Sequence, residues 1–183
     1  MAGAATGSSP AAPAAAVPVV PPKLLTLVIP HIGGRLLLGK KLRGFGEAGY
    51  YNGFGGKVEQ GETIEASAKR ELLEEAGITA TCMQHCGLLT FVFDDNPQPW
   101  EVHVFRVTAF GGEPAASDEM APRYFAEAEV PYERMWADDV HWYPLFLAGK
   151  LFEGTFHFHN THTLVGHTLT EVHSLSLPAQ PLQ

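Results

Sequence analysis

The chain has 183 residues, of which 45% are hydrophobic and 17% charged, so it suits one domain with a real core. The formal net charge of -8 argues against an electrostatic grip on a nucleic acid polymer, because such a grip needs a basic face. No apolar run is long enough to span a bilayer, whereas a small anionic ligand is compatible with the acidic charge if a divalent cation reverses the local field.

Both ends of the chain differ in composition from the middle. Residues 1–22 are rich in Ala, Pro, Gly and Ser and carry no charged side chain, and they lack the basic start of a secretory signal. We expect a disordered tail over 1–22, one domain over 23–177 and a loose end over 178–183. The two cysteines, Cys82 and Cys86, fit a reducing compartment. Because no targeting signal is visible, we expect the cytoplasm, with a nuclear or organellar location left open.

The first half of the domain reads as a hairpin, a loop and a helix. Residues 23–30 are β-rich, and residues 33–41 follow after a short turn, so the two segments predict a hairpin. Residues 44–56 form a glycine-dense loop, in which the backbone can approach a ligand closely. A helix is predicted over 63–76, with Gly77 as its C-terminal cap.

The second half interleaves strands with one more helix. Strands are predicted over 87–95 and 101–110, on either side of a proline-containing turn. A helix is predicted over 138–150, with Pro144 expected near its first turn, and strands over 151–159 and 164–175 close the chain. Interspersed helices and strands predict an α/β sandwich with a mixed β-sheet.

The first helix carries an unusual cluster of carboxylates. At about 100° per residue, Glu71, Glu74 and Glu75 fall within one arc, and Leu72, Leu73 and Ala76 fall within an arc on the opposite, apolar side. Like charges at this spacing repel, and Arg70 can neutralise one carboxylate but not three. A hard divalent ion, Mg²⁺ or alternatively Mn²⁺, would relieve the repulsion, since such ions prefer oxygen ligands. A solvated acidic face is the alternative interpretation.

The spacing around these carboxylates is typical of one family. The pattern G-x5-E-x7-R-E-U-x-E-E-x-G-U, with U a bulky apolar residue, is filled by Gly56, Glu62, Arg70, Glu71, Leu72, Glu74, Glu75, Gly77 and Ile78. The chain thereby resembles the Nudix hydrolases. The resemblance implies the Nudix fold, an α/β/α sandwich, and Mg²⁺-dependent hydrolysis of a nucleoside diphosphate linked to another group. It also implies that Glu71, Glu74 and Glu75 are catalytic.

The same resemblance implies the roles of several neighbouring residues. Gly55, through its carbonyl, and Glu119 in "SDEM" would join Glu71, Glu74 and Glu75 as metal ligands, although a surface acid is the alternative for Glu119. Glu62 and Arg70 would form a buried ion pair that holds the loop and helix together. Which glutamate is the general base stays open.

Further segments resemble a particular branch of the family. "RGFG", "NGFGGKV", "EVHVF", "SDEM" and "MWADDVHWYPL" are similar to animal members that sanitise the nucleotide pool. Those members hydrolyse oxidised purine (deoxy)nucleoside triphosphates, such as 8-oxo-dGTP and 2-hydroxy-dATP, to monophosphate and pyrophosphate. We expect a monomer. The resemblance implies a substrate-binding set that comprises Thr26, Lys41, Phe45, Asn52, Phe54, Gly55, Gly56, Lys57, Phe91, Phe93, Trp136, Ala137, Asp138 and Asp139.

The chemistry of three of these positions suits a purine. The Asn52 amide can both donate to and accept from a base edge, and the flat face of Trp136 can stack on a base. If adjacent Asp138 and Asp139 share a pocket, the pair can retain one proton and present a donor beside an acceptor. The alternatives are an N-cap role for Asp138 and core packing for Trp136, Phe91 and Phe93.

Three departures from the pattern put the preferred base in question. The loop over residues 44–52 is one residue longer, near Glu47; Tyr51 replaces the usual Trp; and Trp100 replaces a smaller Met. The histidines near the C-terminus show no fixed motif, so we assign them no chemistry and expect them to face solvent. Two alternatives to the proposed activity are a Nudix hydrolase for another nucleoside diphosphate derivative and a catalytically silent module that binds nucleotides.

Overall fold

Residues 20–43 and 48–176 are described by the structure, a computed structural model, so the expectations for the tails, for Phe45 and for the insertion near Glu47 largely or wholly lie outside the described residues. The elements, in chain order, are β1 (Lys23–Ile32), β2 (Arg35–Lys41), β3 (Tyr51–Asn52), α1 (Ile64–Ala76), β4 (Thr79–Phe93), β5 (Asn96–Gly111), β6 (Met120–Ala126), α2 (Asp139–Leu147), β7 (Leu151–His159) and β8 (Thr163–Val172). Two short 3-10 helices, Glu127–Glu129 and Tyr132–Arg134, precede α2. The strand β6 was not predicted from the sequence.

The eight strands form one mixed sheet between two helices. Its order is β3-β2-β1-β5-β4-β7-β8, with β6 also paired to β2. The β1–β5 and β4–β7 pairs are parallel and the other strand pairs are antiparallel. One apolar cluster packs α1 against the sheet and another packs α2 against it. This arrangement confirms the predicted α/β/α sandwich with a mixed sheet.

The helix α1 begins and ends where its caps require. The Thr63 hydroxyl accepts a hydrogen bond from the Ala66 N–H at 3.1 Å, and Gly77, at φ 71°, donates its N–H to the Leu73 carbonyl at 2.9 Å. The predicted apolar side was partly wrong, since Leu73 is 52% exposed whereas Glu75 is 5% exposed. The helix packs through the ridge formed by Ala68, Leu72 and Ala76, and Glu75 lies beside that ridge.

Proline positions were the other source of error. Pro144 is the sixth residue of α2 rather than part of its first turn, and it is exposed in a helix of only nine residues. Pro97 and Pro99 lie within β5, not in a turn, because the β4–β5 turn contains only Asp94 and Asp95. Neither proline is a register partner of β4, and β1 pairs with β5 only from Trp100 onward. The missing N–H groups therefore break no described ladder pair.

No helix within the described ranges combines the length and apolar character needed to cross a membrane.

Candidate active site

A cavity of about 370 Å³ opens at the end of the sheet where α1, α2 and the glycine-rich loop come together. Its walls come from the first three strands, the loop after β3, the helix α1, the ends of β4, β5 and β7, and the start of α2. Carboxylates and lysines line one part of it, and aromatic rings with two aspartates line another. The predicted site residues that line it are Thr26, Lys41, Asn52, Gly55, Gly56, Lys57, Glu71, Glu75, Phe91, Phe93, Glu119, Trp136, Asp138 and Asp139.

The three helix glutamates have three different environments. Glu75 is buried, Glu71 is partly exposed, and Glu74 is exposed and does not line the cavity. The Gly55 N–H donates to the Glu75 carboxylate at 2.8 Å. Burial raises the pKa of Glu75 to about 7, and the negative charges of Glu71 and Glu119 add to this effect, against the Gly55 N–H and Lys41. Burial also raises the pKa of Glu71, although Arg70 opposes it.

Arg70 joins the helix to the loop that precedes it. Its guanidinium donates to both oxygens of Glu62, at 2.9 and 3.0 Å, which is a bidentate ion pair. The same guanidinium donates to Glu71 at 2.8 Å and to Glu74 at 3.1 Å. The side chain of Arg70 is 27% exposed, so the pair expected to be buried is only partly so. Hydrogen bonding to Arg70 lowers the pKa of Glu62, and Arg70 itself is held above its usual pKa.

Two glycines of the loop allow the carboxylates to approach the backbone. A Cβ on Gly56 would lie 2.5 Å from Oε1 of Glu71, and a Cβ on Gly55, at φ 152°, would lie 2.0 Å from the Thr26 carbonyl oxygen. The Gly56 carbonyl accepts from the Thr26 N–H at 2.9 Å, so the loop runs against β1. Side chains at either position would displace the loop or the glutamate.

The donor chemistry here fits a hard divalent ion. Glu71, Glu75 and Glu119 face one cavity, and each of the other two raises the pKa of Glu75, so a cation there would relieve their repulsion. Among the described residues, however, no three metal-ligating side chains are yet gathered closely enough to hold an ion. The Arg70 guanidinium forms ion pairs with Glu71 and Glu74 and so supplies positive charge beside those two carboxylates.

Two adjacent aspartates also line the cavity. Asp138 and Asp139 are 4% and 2% exposed. Asp138 accepts from the Trp142 indole N–H at 3.0 Å, and Asp139 accepts from the Trp136 backbone N–H at 3.0 Å. Burial raises the pKa of Asp138 to about 6, and burial together with the Asp138 charge raises the pKa of Asp139 well above its usual value. Both shifts favour the protonated form, so the pair holds a proton to a higher pH than exposed aspartates do.

The N-cap alternative for Asp138 has limited support. Asp138 does occupy the position before α2, yet its side chain makes no capping hydrogen bond within the described part of the chain. Trp142 is fully buried, as a core aromatic would be, but its ring also lines the cavity. At this end of α2, Trp142 therefore both packs in the core and forms part of the cavity wall.

Two smaller polar groups also face the cavity. The Asn52 side-chain oxygen accepts from the Gly53 N–H at 2.9 Å, which orients the amide. The Thr26 hydroxyl is buried and has no hydrogen-bond partner among the described residues. A buried polar group in this state costs free energy unless a ligand or water pairs with it, so Thr26 is available to a bound molecule.

Some predicted residues lie elsewhere, and some lining residues were missed. Phe54 is fully buried in the cluster beside α1, Ala137 is exposed outside the cavity wall, and Phe45 is not among the described residues. The missed lining residues are Lys23, Leu25, Leu27, Val102, Trp142, Phe158 and Thr161. Alternation along β1 and β7 indicates that such apolar side chains are buried but does not show which of them border a cavity.

Trp100 lies in the cavity wall, at the position flagged as unusual in the sequence. Its ring meets Phe93 edge-on at 4.9 Å between centroids, and the Lys23 ammonium lies 4.8 Å from its centroid. The large ring therefore narrows the aromatic part of the cavity and holds a lysine at its edge.

The α/β/α sandwich, with an acidic helix and its glycine loop at the cavity, is the architecture of one class of hydrolases. The chain belongs to the NUDIX family, whose domain matches residues 25–146, more than half of the chain. Nudix hydrolases generally use divalent metal ions.

Relatives and solved structures agree with this assignment. The chain is 50% identical to the oxidized purine nucleoside triphosphate hydrolase of Danio rerio over 153 residues, covering 84% of this chain and 97% of that protein. It is 45% identical to the Mus musculus protein of the same name over 152 residues, covering 83% and 97%. The MutT protein from Bacillus halodurans is similar in structure, with a TM-score of 0.72 at 29% identity, covering 80% of this chain and 97% of that one.

Proposed function

We propose that the protein hydrolyses oxidised purine nucleoside triphosphates, such as 8-oxo-dGTP and 2-hydroxy-dATP, to the monophosphate and pyrophosphate. The observation that carries the proposal is one cavity with carboxylates at one part and a buried aspartate pair among aromatic rings at another. A nucleotide has the same division into an anionic chain and a flat base. The named relatives from Danio rerio and Mus musculus support the choice of substrate.

The base would lie among the aromatic side chains and the aspartates. Trp136, Phe91 and Phe93 offer ring faces and edges for stacking, and the Asn52 amide is within the same cavity. Because Asp138 and Asp139 retain a proton between them, they present a donor and an acceptor side by side. Oxidation of a purine changes which edge atoms donate and accept, so a pair that can exchange these roles suits more than one oxidised base.

The triphosphate would lie at the acidic part of the cavity with Mg²⁺. Glu71, Glu74 and Glu75, the Gly55 carbonyl and Glu119 would hold the ion. When bound, Mg²⁺ polarises the phosphate oxygens and lowers the pKa of the attacking water. Lys41 and Lys57 line the same region and attract the phosphate chain.

The reaction proposed is substitution at the β-phosphorus. A water oxygen bonds to that phosphorus, the bond to the oxygen that bridges the α- and β-phosphates breaks, and the monophosphate and pyrophosphate leave. A carboxylate of the catalytic set, Glu71, Glu74 or Glu75, accepts the proton of the water. Without a metal ion, burial raises the pKa of Glu75 to about 7, and a bound divalent ion would lower that pKa and favour the carboxylate form that accepts a proton.

The direct test measures pyrophosphate release from 8-oxo-dGTP, 2-hydroxy-dATP and dGTP, with and without Mg²⁺. We expect Mg²⁺-dependent release that is faster for the oxidised nucleotides. Equal rates on dGTP and the oxidised forms would contradict the sanitising role, and no release from any nucleotide would favour the silent binding module. Glu75→Gln should reduce turnover at least a hundredfold on every substrate, as expected for removal of a catalytic carboxylate.

The proposal extends to the organisation of the chain. We infer that a monomer acts on free nucleotides in the cytoplasm and that residues 23–177 form the active domain. Every described residue that lines the cavity lies between Lys23 and Thr161, which supports those limits. A protein lacking residues 1–22 should therefore keep its kcat/KM within about twofold, and sedimentation equilibrium should give the monomer mass.

A further inference from the structure

The turn between β7 and β8 places an imidazole against the tryptophan proposed to stack on the base. The His162 ring and the Trp136 indole are parallel within 2°, with their centroids 6.2 Å apart. Thr161, the preceding residue of the turn, lines the cavity together with Trp136. His162 itself is exposed and does not line the cavity, so it meets Trp136 at the protein surface and not in the core.

This turn is held in place by the neighbouring β4–β5 turn. Asp94 accepts from the Asn160 N–H at 2.9 Å and contacts the His159 ring, and the Thr161 hydroxyl donates to Asp95 at 2.9 Å. Asn160 and Thr161 both have positive φ, 48° and 64°. Asparagine adopts such angles more readily than other non-glycine residues, whereas a β-branched residue such as Thr161 does so only when surrounding contacts hold it, so the turn has a defined shape.

The backbone of Trp136 is held by a separate hydrogen bond. The Trp136 N–H donates to Asp139 of the buried aspartate pair, so the loop that carries the indole is anchored to α2. The backbone of Trp136 is thus held in place where its indole meets the His162 ring. The parallel His162 ring limits the rotation of the indole about the side-chain bonds of Trp136.

We propose that His162 is a positioning residue that holds the Trp136 ring in the orientation that receives the base, and so sets nucleotide affinity. The inference rests on the proposed function, because it assumes that Trp136 contacts a nucleobase. It assigns a role in binding, not in the chemistry at phosphorus. The sequence alone had placed His162 among solvent-facing histidines without a function.

The test compares three variants with the unmodified protein. His162→Ala should raise KM for 8-oxo-dGTP on the order of fivefold while kcat stays within twofold, since the ring is absent from the phosphate end. His162→Phe keeps a planar ring and should restore KM to near the original value. His157 is another exposed histidine and lies on β7, so His157→Ala is the matched control and should leave KM unchanged.

A measurement without substrate separates this inference from the proposed function. Acrylamide quenching of Trp136 fluorescence, taken as the difference between each protein and its Trp136→Phe counterpart, should increase in His162→Ala and return in His162→Phe. If the unmodified protein hydrolyses no oxidised nucleotide, the proposed function fails, but quenching still reports on the His162–Trp136 contact. Unchanged quenching, an unchanged KM, or a fall in kcat alone in His162→Ala would overturn the inference.

Discussion

Asp138 is the buried carboxylate through which we propose that the protein selects a base. It lines the same cavity as Glu71 and Glu75, accepts a hydrogen bond from the Trp142 indole N–H and interacts with its neighbour Asp139. Burial raises the pKa of Asp138, and the charge of Asp138 raises the pKa of Asp139. Whether Asp138 donates or accepts a hydrogen bond therefore depends on the protonation of both aspartates.

Asp138→Asn should therefore alter the choice among bases more than the phosphate chemistry. The asparagine amide has a fixed donor and a fixed acceptor, whereas a carboxyl donates only when it is protonated. We therefore expect the ratio of kcat/KM between 8-oxo-dGTP and 2-hydroxy-dATP to change about tenfold or more. Steady-state kinetics on both nucleotides measures this ratio. Asp118→Asn, at an exposed site, is the control, and an equal loss on both substrates in Asp138→Asn would contradict the prediction.

Arg106 is a buried cation with little to pair with. It is 7% exposed, and its Nε and Nη2 atoms have no hydrogen-bond partner among the described residues. The Phe146 ring, 4.4 Å from the guanidinium carbon, offers a cation–π contact. Nearby Cys86 offers no counter-charge, because burial raises the pKa of its thiol to about 12 even though Arg106 opposes that rise.

Arg106→Met should leave the protein as stable or more stable, by about 1 kcal/mol, because it removes an uncompensated charge and keeps the volume. Urea denaturation measures the free energy of unfolding. Arg106→Ala should be less stable than Arg106→Met, since it also leaves a cavity. A clear loss of stability in Arg106→Met would mean that the guanidinium is paired in solution.

At the scale of elements, the site depends on how closely the glycine loop approaches α1. The loop donates the Gly55 N–H to Glu75, and Gly56 lies against Glu71 with no room for a side chain. The ion pair of Arg70 with Glu62 ties the same two elements together a turn away. The loop therefore places the carboxylates of Glu71 and Glu75 as much as the helix does.

Gly56→Ala should lower kcat at least tenfold with a folded protein, because its Cβ would lie 2.5 Å from the Glu71 carboxylate and force it aside. Gly111→Ala is the matched control, since a Cβ there meets nothing within 4 Å. Circular dichroism establishes folding, and pyrophosphate release measures turnover. Normal turnover in Gly56→Ala would show that Glu71 needs no fixed position.

At the scale of the whole molecule, we expect stability to depend on pH through two histidines, the buried His103 and the partly buried His85. His103 is fully buried between Glu101, 3.1 Å from Nε2, and His85, 3.2 Å from Nδ1. Burial lowers the pKa of His103 to about 4, and burial with the effect of His103 lowers the pKa of His85 to about 4. The unfolded chain, with histidine near 6.5, binds these protons first as the pH falls.

The sign of the effect follows from these values. The contribution of His103 is present above pH 6.5 and is lost as the pH falls through about 4, so it should lower the free energy of unfolding over that interval by about 3 kcal/mol. Glu101 acts in the opposite sense, since burial raises its pKa. Comparing His103→Gln with the unmodified protein therefore separates the contribution of His103 from that of Glu101.

His103→Gln should flatten this dependence, because the amide can keep hydrogen bonds without titrating. Urea denaturation at pH 7, 5.5 and 4.5 gives the slope for each protein. His173→Gln, at an exposed site near the C-terminus, is the control and should keep the original slope. The same slope in His103→Gln and the unmodified protein would mean that His103 is not buried in solution.

Local rules were enough to predict much of the fold and the chemical half of the site. The Thr63 and Gly77 caps delimited α1, and the alternation of apolar residues located most strands, because these signals act over a few residues. The spacing of Glu71, Glu74 and Glu75 predicted an acidic helix side for the same reason. The errors fell where longer contacts act: Pro97, Pro99 and Pro144 lie inside elements that neighbouring strands and the core sustain.

By itself, then, the sequence determined the family, the mixed α/β architecture and the residue types that carry the chemistry, because each is encoded in short-range spacing. Only the tertiary structure decided that Glu75 is buried whereas Glu74 is exposed, that Asp138 and Asp139 are desolvated together, and that the β7–β8 turn reaches Trp136. Burial and proximity between residues far apart in the chain depend on how the whole sheet and both helices pack, and no local pattern specifies that packing.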